Sequence, residues 1–75
     1  MNKQQSQLKI LGENVKKLRL ATKLSQEEFS DLAGLHRTYI SQLELGLRNP
    51  TYITLEKIAN ALKCAVSDLF EVNHA

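Results

Sequence analysis

Residues 25–46 read Ser-Gln-Glu-Glu-Phe-Ser-Asp-Leu-Ala-Gly-Leu-His-Arg-Thr-Tyr-Ile-Ser-Gln-Leu-Glu-Leu-Gly, and they constrain the fold more than any other stretch. Two short amphipathic helical patterns flank a glycine-containing turn of about four residues. The first opens at Ser25, whose hydroxyl can accept from the Glu28 amide while the Glu28 carboxylate reaches back, a reciprocal Ser-x-x-Glu cap. Phe29, Leu32 and Ala33 form its apolar face, and Gly34 can take the left-handed conformation that ends it. The second pattern runs from about Arg37 to Leu45, turns Ile40, Leu43 and part of Glu44 inward, and closes at Gly46.

Helical periodicity continues on both sides. Leu8, Leu11, Val15, Leu18 and Ala21 recur at three- and four-residue steps and predict a first helix. Pro50 cannot donate and disfavours helix at Asn49, so Arg48-Asn49-Pro50-Thr51 is a loop. Leu55, Ile58, Ala59 and Leu62 share a face of a fourth helix over about 55–62, with Thr54 as its N-cap. Val66, Leu69 and Phe70 belong to a short fifth helix over about 66–71. Residues 1–7 are polar and without period, a disordered tail, and residues 72–75 form a second tail. With no strand pattern or repeat, the expected fold is all-α, five short helices in one domain over residues 8–71, with the two-helix unit at 25–45.

Seventy-five residues lie near the lower limit for one unaided core. The lone Cys64 cannot form an internal disulfide, which favours a reducing, cytoplasmic setting. No apolar run approaches membrane-spanning length, and the N-terminus is not signal-like. His36, Cys64 and His74 lack metal-ligand spacing, and there is neither a glycine-rich phosphate loop nor a Ser/His/Asp arrangement. These absences point away from an enzyme, a cofactor, a metal or a small-molecule ligand. The net charge of +2 is uninformative, but its distribution is not. Lys3, Lys9, Lys16, Lys17, Arg19 and Lys23 face only Glu13 within residues 1–23, whereas residues from 51 onward are slightly acidic. One basic face is implied, or simply a solvated lysine-rich helix.

The second pattern begins with hydrogen-bonding side chains where core residues would otherwise stand: Arg37, Thr38, Tyr39, Ser41 and Gln42. An edge of B-DNA is read by donors and acceptors delivered from the N-terminal end of a helix. Arg37 suits guanine O6 and N7 or an adjacent phosphate. Thr38 offers a hydroxyl to base or phosphate and a methyl to thymine, and Tyr39 can line the sugar-phosphate wall or pack partly inward. Gln42 suits adenine N6 and N7, or reaches toward Gln26. Gln26, in the first turn of its helix, and Ser41, Arg48 and Asn49 suit phosphate oxygens.

The pattern Ser-Gln-Glu-Glu-Phe, Ala-Gly-Leu, Ile-Ser-Gln-Leu-Glu, Gly, Arg-Asn-Pro and Leu-Glu-Lys-Ile-Ala-Asn-Ala-Leu resembles the Cro/C1-type, or XRE, helix-turn-helix family over about residues 9–71. Leu-His-Arg-Thr-Tyr-Ile-Ser with Arg48-Asn49 is similar to the controller proteins of restriction–modification systems. The resemblance implies a lambda-repressor-like domain that regulates transcription as a homodimer on a two-fold symmetric operator in double-stranded DNA. It also implies a structural ion pair between Arg19 and Glu44. One short reading helix meets few base pairs, so pairing is needed to lengthen the site. The dimer surface is expected around Ile53, Val66, Leu69 and Phe70. Phage, plasmid and chromosomal repressors are alternative roles, as is an antitoxin acting through protein–protein contact. Three positions depart from the family pattern: His36 is a poor cap, Lys63 stands where glycine is common, and Ala65 replaces a capping serine.

Overall fold

A long first helix supports the others. The structure, a computed structural model, describes residues 2–72, so residues 73–75 of the expected C-terminal tail lie outside it. In order come α1 (Lys3–Ala21), α2 (Gln26–Ala33), α3 (Arg37–Glu44), α4 (Tyr52–Leu62) and a 3-10 turn at Val66–Phe70. The described residues are all-helical, with four α-helices and this turn in place of five helices.

Where boundaries differ from expectation, a local hydrogen bond explains each shift. The polar segment before Leu8 is helical from Lys3 onward. Asn2 Oδ1 accepts the Gln5 amide at 2.8 Å, and Gln5 Oε1 accepts the Asn2 amide at 3.1 Å, closing a reciprocal cap. Helix α4 starts one turn early because Thr51, not Thr54, caps it, accepting the Thr54 amide at 3.3 Å. Ser25 caps α2 through the Glu28 amide at 3.0 Å, and the Ser25 amide donates back to Glu28 at 2.9 Å. The Ser25 amide first, and its hydroxyl second, hold the Glu28 carboxyl below its ordinary pKa. At the far end, Gly34 is left-handed, φ +70°.

Leu11 and Val15 of α1, Phe29 and Ala33 of α2, Ile40 and Leu43 of α3, and Ile58, Ala59 and Leu62 of α4 share one core with Leu69. Three apolar residues read from the pattern stay outside it, Leu8 among them. Ala21 is exposed at the end of α1, and Leu32 is 64% exposed. Helix α2 buries Phe29, Ser30 and Ala33 instead, because it is clasped between α3 and α4 on that side. The Asn14 side-chain amide ties α1 to the C-terminal segment, donating to the carbonyls of Leu69 at 2.9 Å and Glu71 at 2.8 Å.

Helix α1 approaches α3 at Gly12. A Cβ built there would fall 2.7 Å from the Glu44 carbonyl oxygen and closer still to that of Leu43. Both obstacles are backbone, so the helix axes are as near as a glycine allows.

Lys63 does not loosen the connection after α4. It takes the left-handed conformation itself, with φ 57° and ψ 44°. A side chain with a Cβ is strained there by about 1–2 kcal/mol, and Lys63 is exposed. Lys63→Gly relieves that strain at some cost in unfolded-chain entropy, so a gain of about 0.5–1 kcal/mol is expected in urea unfolding. A loss would mean the lysine side chain contributes contacts that outweigh the strain.

Candidate nucleic-acid interface

Helices α2 and α3 pack on each other and present the start of α3 outward. Ile40, Leu43 and Glu44 turn inward, which leaves Arg37 and Thr38 exposed and Tyr39, Ser41 and Gln42 half-buried. His36 makes no side-chain cap, so the first amides of α3 keep unanswered donors beside Arg37 and Thr38. Ser25 already serves the equivalent end of α2, where Gln26 stands at the first helical position.

The position of α3 is fixed by one enclosed charge cluster. Arg19 Nε donates to Glu44 Oε2 at 2.7 Å and its Nη2 to Oε1 at 3.1 Å. The two side chains are only 8% and 3% exposed. The remaining guanidinium nitrogen, Nη1, holds the Leu24 carbonyl at 2.9 Å in the α1–α2 connection. Gln26 Nε2 adds a bond to Glu44 Oε1 at 3.1 Å. Three helices therefore converge on one carboxylate. Arg19 is spent on this cluster, so it adds nothing to an exposed basic face.

The predicted site residues divide into two groups with different neighbours. Gln26 does not meet Gln42; its amide belongs to the Glu44 cluster. Gln42 instead accepts from Arg48 Nε at 2.8 Å, and the Arg48 guanidinium carbon lies 5.1 Å from the centre of the Tyr39 ring. Arg48 thus joins the loop after α3 to the outward face of that helix. Burial holds the Tyr39 hydroxyl above the usual phenol range against the opposing pull of Arg48. Asn49 lines a shallow cleft of about 250 Å³ that also includes Leu8, Pro50, Leu55 and Phe70. Of the two loop residues, only Arg48 bonds to α3.

The residues expected at a dimer surface also separate. Ile53 is 67% exposed and Phe70 is partly exposed. Val66 packs against the core, and Leu69 is fully enclosed within it. A 3-10 turn repeats every three residues, so Val66 and Leu69 point the same way, toward α1 and α4. Leu69 is a core residue of the monomer.

Sequence reasoning did not find Ile10 or Val72, which with Phe70 line an apolar surface groove. Leu45 and Leu47, exposed on either side of Gly46, were missed as well. The alternation of apolar residues gave no signal for any of them, since it marks inward faces. Cys64 is half-buried, and burial first and Asp68 second push its thiol pKa up. Among the described residues no cluster of His, Cys, Asp or Glu could hold a metal, and no helix is long and apolar enough to cross a membrane.

The helix-turn-helix family HTH_3 matches residues 15–69. Control protein C.SmaI of Serratia marcescens is 47% identical over 60 residues, covering 80% of this chain and 71% of the relative. Control protein C.BamHI of Bacillus amyloliquefaciens is 40% identical over 63 residues, covering 83% and 78%. Among solved structures, the restriction-modification controller protein C.AhdI from Aeromonas hydrophila superposes with a TM-score of 0.84 at 37% identity, over 87% of this chain and 98% of that one.

Proposed function

Because the chain belongs to the helix-turn-helix family HTH_3, of XRE type, we propose that it is a sequence-specific transcriptional regulator that binds a two-fold symmetric operator as a homodimer. The observation that carries this reading is the outward start of α3, where Arg37, Thr38 and the Tyr39–Gln42–Arg48 cluster stand on a helix fixed by the Arg19–Glu44 pair. Helix α3 enters the major groove with Arg37, Thr38, Tyr39 and Gln42 toward base edges. Ser41, Arg48, Asn49 and the first turn of α2 around Gln26 meet the phosphates. The likeness to C.SmaI, C.BamHI and C.AhdI supports the role of a restriction–modification controller. The domain over residues 8–71 is extended by residues 3–7, which belong to α1.

Dimerisation uses the apolar surface left over once the core is filled: Ile53, Phe70, Val72 and the groove beside Ile10. Two reading helices then sit about 34 Å apart, one turn of B-DNA.

Arg37→Ala is expected to lose about 1–3 kcal/mol on the operator and much less on random DNA, while keeping its helical circular dichroism. Equal losses on both DNAs would make Arg37 a phosphate contact. Sedimentation of the wild type completes the test. A folded monomer that binds a half-site as tightly as the full operator would sink the dimeric reading.

A further inference from the structure

Arg48 and Gln42 are joined in a way that, given the DNA-binding reading above, decides which bases Gln42 accepts. Arg48 Nε donates to Gln42 Oε1 at 2.8 Å, and the guanidinium is held against the Tyr39 ring at 5.1 Å from its centroid. A guanidinium has donors and no acceptor, so the Gln42 atom facing it must be the oxygen. A free glutamine can turn its amide to offer either a donor or an acceptor. Here the oxygen is engaged within the protein, and among the described residues the Nε2 group donates to nothing.

The oxygen keeps a second lone pair. Any N–H group approaching it, however, also approaches a positive guanidinium held by its hydrogen bond and by the ring face. Adenine needs that acceptor for its two-bond pairing, in which glutamine accepts from N6 while donating to N7; without it only the bond to N7 remains. Guanine presents two acceptors, O6 and N7, to the Nε2 hydrogens, whereas cytosine presents only the N4 donor. We propose that Arg48 holds Gln42 as a donor-only reader, so that Gln42 prefers guanine to adenine at the position it meets. Arg48 is then a positioning residue for base choice as well as a charge near phosphate.

The test uses the full chain and a double-stranded DNA library randomised over about 20 base pairs, enough for two half-sites one turn apart. Selection is run with the wild type, Gln42→Ala and Arg48→Met. The position whose preference disappears with Gln42→Ala is the one Gln42 meets. There the wild type is expected to deplete adenine roughly tenfold against guanine. Arg48→Met, which cannot donate, should restore adenine at that position and leave the preferences elsewhere unchanged, whatever happens to overall affinity. Arg48 is exposed, and circular dichroism checks folding; Arg48→Ala is the second variant and carries the same expectation. In the DNA-free protein, the Gln42 side-chain amide resonances should move in both variants. A wild-type preference for adenine at that position, adenine depletion that survives loss of Arg48, or no position sensitive to Gln42 would each overturn the proposal. A wild-type protein that enriches no sequence at all would instead overturn the DNA-binding reading.

Discussion

Glu44→Leu is expected to destabilise the domain by about 3–5 kcal/mol, because it leaves the Arg19 guanidinium enclosed without its carboxylate. Domains have roughly 0.05–0.15 kcal/mol of stability per residue, so a loss of that size removes much of what a 75-residue chain has. Arg19→Met should cost a similar amount for the mirror reason, and it also releases the Leu24 carbonyl. The double variant, with two apolar side chains facing each other, should recover part of either loss, since a buried pair is not reliably better than hydrophobic packing. Urea unfolding of all four proteins decides the matter. If both single variants melt with the wild type, the pair does not brace α3. Binding to DNA should fall in the single variants through loss of folded protein, with little change in which sequences are preferred.

Gly12→Ala should be damaging in the opposite sense from most such changes. In an exposed helix interior the substitution adds about 1 kcal/mol of stability. Here the new methyl would meet the carbonyls of Leu43 and Glu44, the second at 2.7 Å. Neither can rotate aside, so α1 and α3 must separate, and overpacking of this kind costs about 3 kcal/mol or more. Because the same carbonyl belongs to the residue that pairs with Arg19, separation also stretches the ion pair. A variant that unfolds at the wild-type urea midpoint, or above it, would mean the crossing has slack.

What could be read from the chain follows the range of the interaction responsible. Ser25 with Glu28 and Gly34 act within a few residues, and both ends of α2 were legible. The start of α4 was read one turn late, at Thr54, because Thr51 was counted with the loop after Pro50, whereas Thr51 itself caps the helix. Asn2 and Gln5 carry the same reciprocal-cap signal as Ser25 and Glu28, but no apolar stripe follows closely enough to draw attention to it. Leu69 was assigned to the dimer surface as apolar surplus beyond a small core, but the core takes it, since the 3-10 turn aims it with Val66 toward α1 and α4. Gly12 gave no signal at all. Inside a helix a glycine reads only as a weak helix former, and its purpose exists only where another backbone passes.

The candidate interface was legible in part for the same reason. Polar residues at 37, 38 and 42 fall where a core-facing helix would be apolar, and that departure is local. The partnership of Gln42 with Arg48, rather than with Gln26, depends on how the loop after α3 folds back. Spacing along the chain contains no record of that.

Ionic strength acts differently on the two kinds of charge in this molecule. The Arg19–Glu44 pair is enclosed, and mobile ions screen such a pair far less than they screen charges in water. Arg48, proposed to meet phosphates, stands in solvent, where contacts to a polyanion weaken steeply as counterions compete for the same phosphates. Under the proposed function, rising salt is expected to lift the protein from DNA while α3 keeps its alignment, ready to rebind unchanged on dilution. Affinity is set by the medium, and the geometry of recognition is insulated from it.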